Sequence, residues 1–243
     1  MPGDKQHIIA QLQKELLTLQ GFKPVKTAYA QDMGLGEIIH AFPNQTFPLA
    51  AVHEFVTATM ENASATAGFI SALLSPLLFT GGVIAWIAPK PYIFPPALKQ
   101  FGIEPNRVIF IHPRYTKDIG WVTEEALQCE ALSAVVSEWS NINFTESRRL
   151  QLAVEKSKVT GFLIRRSPRE LTTTACVSRW KISAQASISI DDLPGVGFPR
   201  WEVELLKVRN GKPGKWMIEW AGDHFQPSHA LGALIRELSK KTG

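Results

Sequence analysis

Five short apolar runs recur between residues 49 and 164, and what separates them decides the fold class. They are "LAAVHEFV" (49–56), "VIAWIA" (83–88), "RVIFI" (107–111), "LSAVV" (132–136) and "VTGFLI" (159–164). Helix-length stretches lie between them, with helices expected near 63–79, 96–101, 123–130 and 145–157. A strand that rejoins its sheet through a helix must run parallel to the strand before it. The pattern therefore predicts an α/β fold: a mostly parallel sheet flanked by helices, with right-handed crossovers. Such strands are covered on both faces, which explains runs that are apolar throughout rather than alternating.

Past residue 178 the periodicity changes. In "RWKISAQASISI" (179–190), Trp180, Ile182, Ala184, Ala186, Ile188 and Ile190 fall on one face and the polar residues on the other. That alternation is a half-exposed strand, as in an antiparallel extension at the C-terminal end. "DDLPGVGFP" reads as a loop, and "WEVELLKV" and "KWMIEW", joined by "RNGKPG", read as a hairpin. At the other end, residues 5–20 carry Ile8, Ile9, Leu12, Leu16, Leu17 and Leu19 at helical spacing, followed by the turn-rich stretch 21–36. We expect residues 1–46 to form an N-terminal helix and linker, and 47–243 one domain closed by a basic C-terminal helix, "PSHALGALIRELSKKTG". Two further helix starts are marked. "NFTE" offers Asn143 as cap with Glu146 three residues on, and "SPRE" offers Ser167, Pro168 and Glu170.

The segment "GFISALLSPLLFTGGVIAWIA" (68–88) is uncharged and as long as a membrane span, but Pro76 and the group Thr80, Gly81, Gly82 divide it into a helix and a strand. No apolar leader opens the chain, because "MPGDKQHIIAQLQKELL" is charged where one would be apolar, so a cytoplasmic setting is expected. Cys129 and Cys176 have neither disulfide-scaffold nor zinc spacing, and the six histidines share no ligand pattern. His53 and Glu54, adjacent in one strand, are expected to form a structural hydrogen-bonded pair. The balance of 26 Lys+Arg against 22 Asp+Glu gives net charge +4, which permits an anionic partner without requiring one.

The junction after the first strand, "TATMENASATAGF" (57–69), is where a nucleotide-binding α/β protein carries its phosphate loop. That loop needs closely placed glycines and a lysine. Here there is no lysine, and Gly68 comes too late.

With these elements in order, the chain resembles the RecA-like ATPase core and, more narrowly, the ImuA family of RecA-related proteins from bacterial damage-inducible mutagenesis cassettes. The stretches that carry the resemblance are "FPLAAVHEF", "GWVTEEALQCEALSAVVSE", "RRLQLAVEKSKVTGFLIR", "SRWKI" and "RWEVELLKVRNGKPGKWMIEW", which span most of residues 47–220. The resemblance implies an accessory factor of SOS-linked translesion synthesis, without cofactor. Its implied partners are ImuB, a Y-family-polymerase-like protein, and a DnaE-type polymerase; single-stranded DNA and a second copy of the chain are further candidate partners.

The resemblance also says where hydrolysis would sit, and each place has changed. The phosphate-loop positions Glu61, Asn62, Ser64, Ala65 and Thr66 form a degenerate nucleotide site, with Glu61 setting a negative charge where phosphate would lie. "WIAPKPY" has Pro89 and Lys90 where a water-activating carboxylate belongs, and "AVVSEW" has Ser137 at the metal position, with Glu138 one residue later. A non-hydrolysing chain is expected. Arg165, Arg166 and Arg169, with Arg179, Lys181 and Arg200, gather where RecA-like proteins hold single-stranded DNA, and cations there suit phosphate. Salt bridges to Glu170, Glu202 or Glu204 are the structural alternative. A second functional class fits the same fold, a SulA-like cell-division inhibitor, which would not need that basic cluster.

Overall fold

The computed structural model describes residues 33–79, 81–90, 92–168, 170–187 and 197–228. Nine strands among them form one sheet: β1 Val52–Thr57, β2 Val83–Ile87, β3 Val108–Ile111, β4 Leu132–Glu138, β5 Thr160–Arg166, β6 Ser178–Gln185, β7 Arg200–Val208, β8 Gly214–Ala221 and β9 His224–Pro227. Their order is β3-β2-β4-β5-β1-β6-β7-β8-β9. The first six in that order are parallel, and β7, β8 and β9 extend the sheet antiparallel. Three α-helices cover it: α1 Met60–Leu78, α2 Ile119–Gln128 and α3 Phe144–Ser157. The α/β expectation and the antiparallel C-terminal end hold. The helices expected at 5–20 and in the tail lie outside the described residues.

Alternation along the parallel strands feeds two cores. Phe55, Ile84, Trp86, Val136, Phe162, Ile164 and Trp180 join the larger one with α1 residues Phe69, Ile70 and Leu73. Val52, Ala85, Ile87, Val135 and Leu163 face the other way, with Leu127 of α2 and Leu150 and Val154 of α3. Burial on both faces is what made these strands uniformly apolar in sequence. Trp180 is fully buried and stacks on Phe55 at 6.0 Å between ring centroids.

Helix ends follow local chemistry. Thr59 caps α1 by accepting from the Asn62 amide at 3.2 Å. The chain then turns through Gly81 and Gly82 at φ 109° and 96°, where a β-carbon on Gly82 would stand 2.1 Å from Ser133 Oγ. Asn143 and Glu146 form the expected capping box of α3. No described helix is long and apolar enough to cross a membrane.

Several expectations are corrected. α2 starts at Ile119 rather than 123, so Glu124 is not in its first turn and pairs instead with Arg149 of α3. The helix expected at "SPRE" is absent from the described residues, because Ser167 has φ 44° and residues 170–176 are irregular. The linker reading fails over 33–46, where Met33, Leu35, Ile38 and Phe42 lie in the larger core. Gly34 and Gly36, both at positive φ, supplied the linker-like signal. Strand β9 was not foreseen; its four residues contribute one core side chain, Phe225.

Candidate functional site at the carboxyl edge of the parallel strands

Ligands of open α/β sheets bind beyond the carboxyl ends of parallel strands, so this edge is the candidate site. Only two residues, Ala58 and Thr59, connect Thr57 of β1 to Met60 of α1. A phosphate-cradling loop needs a run of free backbone amides, and this connection has no room for one. Two early amides of α1 are already taken, Asn62 N by Thr59 Oγ1 and Ala63 N by the Thr59 carbonyl. The degenerate-site residues serve packing instead. Asn62 Oδ1 accepts from the Ala184 amide of β6, Ser64 and Thr66 donate to helix carbonyls one turn back, Ala65 is buried, and Glu61 is exposed.

Glu138 ends β4 on the α1 face and is almost fully buried. Its Oε2 lies 2.6 Å from Arg166 Nε, and Trp86 Nε1 approaches Oε1 at 3.4 Å. The Arg166 guanidinium sits 4.1 Å over the Tyr92 ring and also reaches Met60 Sδ at 3.4 Å. A protein cation thus holds the carboxylate the sequence offered for a metal. The neighbouring Ser137 is buried and shares a 2.6 Å hydrogen bond with Thr123.

On the opposite face a second network closes the same end. Glu54, fully buried, accepts from Arg165 at 2.7 Å, Arg179 at 2.8 Å and Thr174 Oγ1 at 2.8 Å. Arg165 donates again to the Glu170 carbonyl and Arg179 to that of Thr172. Segment 170–176 is irregular because its carbonyls accept from the two guanidinium groups and its Thr174 hydroxyl donates to Glu54, tasks a helix would leave undone. Cys176, buried beside this network, has its thiol pushed up to about 12 by burial first and the Glu54 charge second, so it is no nucleophile.

These networks relocate the cluster read from the sequence. Arg165 is 1% exposed and offers no charge to a surface, which corrects its place among DNA-contacting residues. Arg179 is spent on Glu54, Arg166 on Glu138, Lys181 on Glu204 at 3.1 Å, and Arg200 on Glu219 at 3.3 Å. Arg169 lies outside the described residues. His53 and Glu54 do not pair, because adjacent strand residues face opposite ways. His53 instead donates from Nε2 to the Pro48 carbonyl at 2.8 Å, and its Nδ1 meets Ser178 Oγ at 2.7 Å. Burial lowers its pKa to about 4.

Sequence reasoning missed Glu54, Thr174 and Tyr92 as members of these networks. A glutamate inside an otherwise uncharged strand was the available signal, since a buried carboxylate requires a buried cation.

No family model matches the chain. In overall shape it is similar to the crystal structure of the RadB recombinase, with a TM-score of 0.51 and 14% identity over 75% of this chain and 92% of that one. This likeness shows a RecA-like fold. In sequence it is similar to Protein ImuA from two strains of Caulobacter vibrioides, each 33% identical over 190 residues, 73% of this chain and 78% of the relative. At that identity and coverage, over a mostly parallel α/β sheet with antiparallel C-terminal strands, the chain belongs to the ImuA family.

Proposed function

We propose that the chain is a non-hydrolysing accessory protein of SOS-linked, error-prone translesion DNA synthesis. It acts in the cytoplasm by docking an ImuB-like Y-family protein and a DnaE-type polymerase. Family membership supports the pathway, and one observation carries the non-hydrolysing part. Where a phosphate loop would stand, a two-residue connection meets an ion pair between Arg166 and Glu138. Nucleotide there would have to displace a partly buried guanidinium from a buried carboxylate, which costs about 1–3 kcal/mol for the charge left without its partner.

Protein docking is the main activity in this reading. Contact with single-stranded DNA through Arg166, Arg169, Arg179, Lys181 and Arg200 is secondary, because every described member of that set already has a carboxylate partner. A division inhibitor would not need free cations in this cluster. Paired charges no longer separate the two, and family membership now favours translesion synthesis.

The test is a titration of the purified chain with the ImuB-like protein, run beside thermal shift and phosphate release with ATP and magnesium. Stable association without turnover or nucleotide-dependent shift is expected. Metal-dependent phosphate release would overturn the non-hydrolysing reading. Filamentous cells on expression, without association, would move the chain to the division-inhibitor class.

A further inference from the structure

We infer that the part of the carboxyl edge formed beyond β2, β3 and β4 is a docking surface for a protein partner with an apolar centre and carboxylates around it. The inference rests on the partner-binding function proposed above and assigns it a place. Phe94, Tyr115, Trp121 and Phe144 come from three separate connections, yet all are 53–69% exposed at this end of the sheet. Exposed apolar side chains sharing one end of a sheet on a folded protein point to an interaction site. Aromatic side chains are also those that anchor interfaces.

Between α2 and α3 lies a cavity of about 210 Å³ lined by Trp121, Trp139, Gly120 and Leu150, with Lys117 and Arg149. It suits one anchoring side chain. Trp139 lies so close over Gly120 that a β-carbon there would come within 2.7 Å of its ring, so the shape of the cavity depends on that glycine. The carboxylates in its lining are already engaged: Glu124 with Arg149, and Glu146 with the Asn143 amide. Lys117 is left, and with it Lys90 and Arg114. All three are exposed and form no ion pair with a described carboxylate; Arg114 and Lys117 flank the Tyr115 ring at 5.5 and 5.4 Å.

Charge decides the kind of partner. A second copy meeting this edge by two-fold symmetry would set these cations against themselves, whereas a surface bearing carboxylates would be drawn to them. Met60 and Leu171, exposed after β1 and β5, continue the edge with aliphatic surface, which suits a protein better than stacked bases.

The ImuB-like protein is the probe, titrated against wild type, F94A/W121A, K90E/R114E/K117E and a control, F79A/L152A, whose exposed side chains lie elsewhere. Circular dichroism checks that each variant is folded. The aromatic pair is expected to weaken association at least tenfold. The charge reversal should slow association at low salt and flatten its salt dependence, and the control should match wild type. Unchanged affinity in both edge variants, with wild type binding, would overturn the surface and leave the proposed function standing. Failure of wild type to bind would overturn both. Two results would replace the partner assigned here: loss in the edge variants of single-stranded DNA binding seen in wild type, or loss of a wild-type dimer measured by sedimentation.

Discussion

The carboxyl edge has two halves built from the same kinds of residue to opposite effect. In β1, β5 and the start of β6, and at Glu138 closing β4, arginines and glutamates are turned inward and paired with one another; in the connections beyond β2, β3 and β4, cations and aromatic rings are turned outward. A cation is available to a ligand only when no internal carboxylate holds it. Net charge and clustering in sequence therefore locate arginines without saying which are free. The halves should also differ in energetics: substitutions in the sealed half should cost stability, and those in the open half should cost binding.

The largest effect is expected at Glu54. Glu54→Ala leaves the guanidinium groups at the end of β5 and the start of β6 without their shared carboxylate, and should destabilise the chain by about 3–5 kcal/mol in urea unfolding. Should Glu54→Ala fail to accumulate as folded protein, Glu54→Gln keeps the shape and removes the charge. A cost under about 1 kcal/mol for Glu54→Gln would break the claim that this half is sealed by charge.

Next comes a pH dependence. His53 is neutral in the folded chain, its Nε2–H given to Pro48 and its Nδ1 facing a Ser178 hydroxyl that also accepts from Trp180 Nε1 at 2.7 Å. Its folded pKa near 4 lies below the ordinary 6.5, so the unfolded chain takes up the proton first. Stability from this group is complete above pH 6.5 and is lost as pH falls towards 4, by up to about 3 kcal/mol. Carboxylates titrate in the same range, so the measurement is the difference between wild type and His53→Gln. An unchanged difference between the two at pH 7 and pH 4.5 would show that the fold does not hold His53 neutral.

Arg166 is intermediate, being partly exposed and bound to a buried carboxylate. Arg166→Ala should cost about 1–3 kcal/mol through the charge it leaves on Glu138. It should not create magnesium-dependent nucleotide binding, because the two-residue β1–α1 connection remains. A nucleotide-dependent thermal shift in that variant would show that the ion pair alone closes the site.

How much of this was legible follows from what each signal measures. The parallel strands were legible because burial on both faces is written as uninterrupted apolar residues, and β6 because Trp180 and Ile182 alternate with Arg179 and Lys181. The same alternation put Arg179 and Lys181 on a polar face. It could not reveal that Glu54, fully buried in β1, would reach across to Arg179 while Glu204 took Lys181. Such pairings depend on strand order, which periodicity does not encode. "SPRE" carried the right residues for a helix start and formed none, since Ser167 is bonded through its amide and hydroxyl to Thr57 and Ala58. Tertiary bonds outweighed a local preference worth about 1 kcal/mol. The open half was hardest to read. Phe94 and Trp121 look like any core aromatic in sequence, and only the packing leaves them outside.

The smallest expected effect tests that last point most sharply. Phe94→Ala and Trp121→Ala remove large side chains, which from a core would cost about 3–5 kcal/mol. Here each should change unfolding stability by no more than about 1 kcal/mol, because most of the atoms removed are already in water. If either costs more than about 2 kcal/mol, its ring packs in solution, the edge is less open than the structure has it, and the two halves differ only in degree. If both are neutral while association with the ImuB-like protein weakens, stability and binding are carried by opposite halves of one edge. The inward arginines would then be the means by which a nucleotide site is closed, and the outward aromatic residues the means by which the same edge is put to another use.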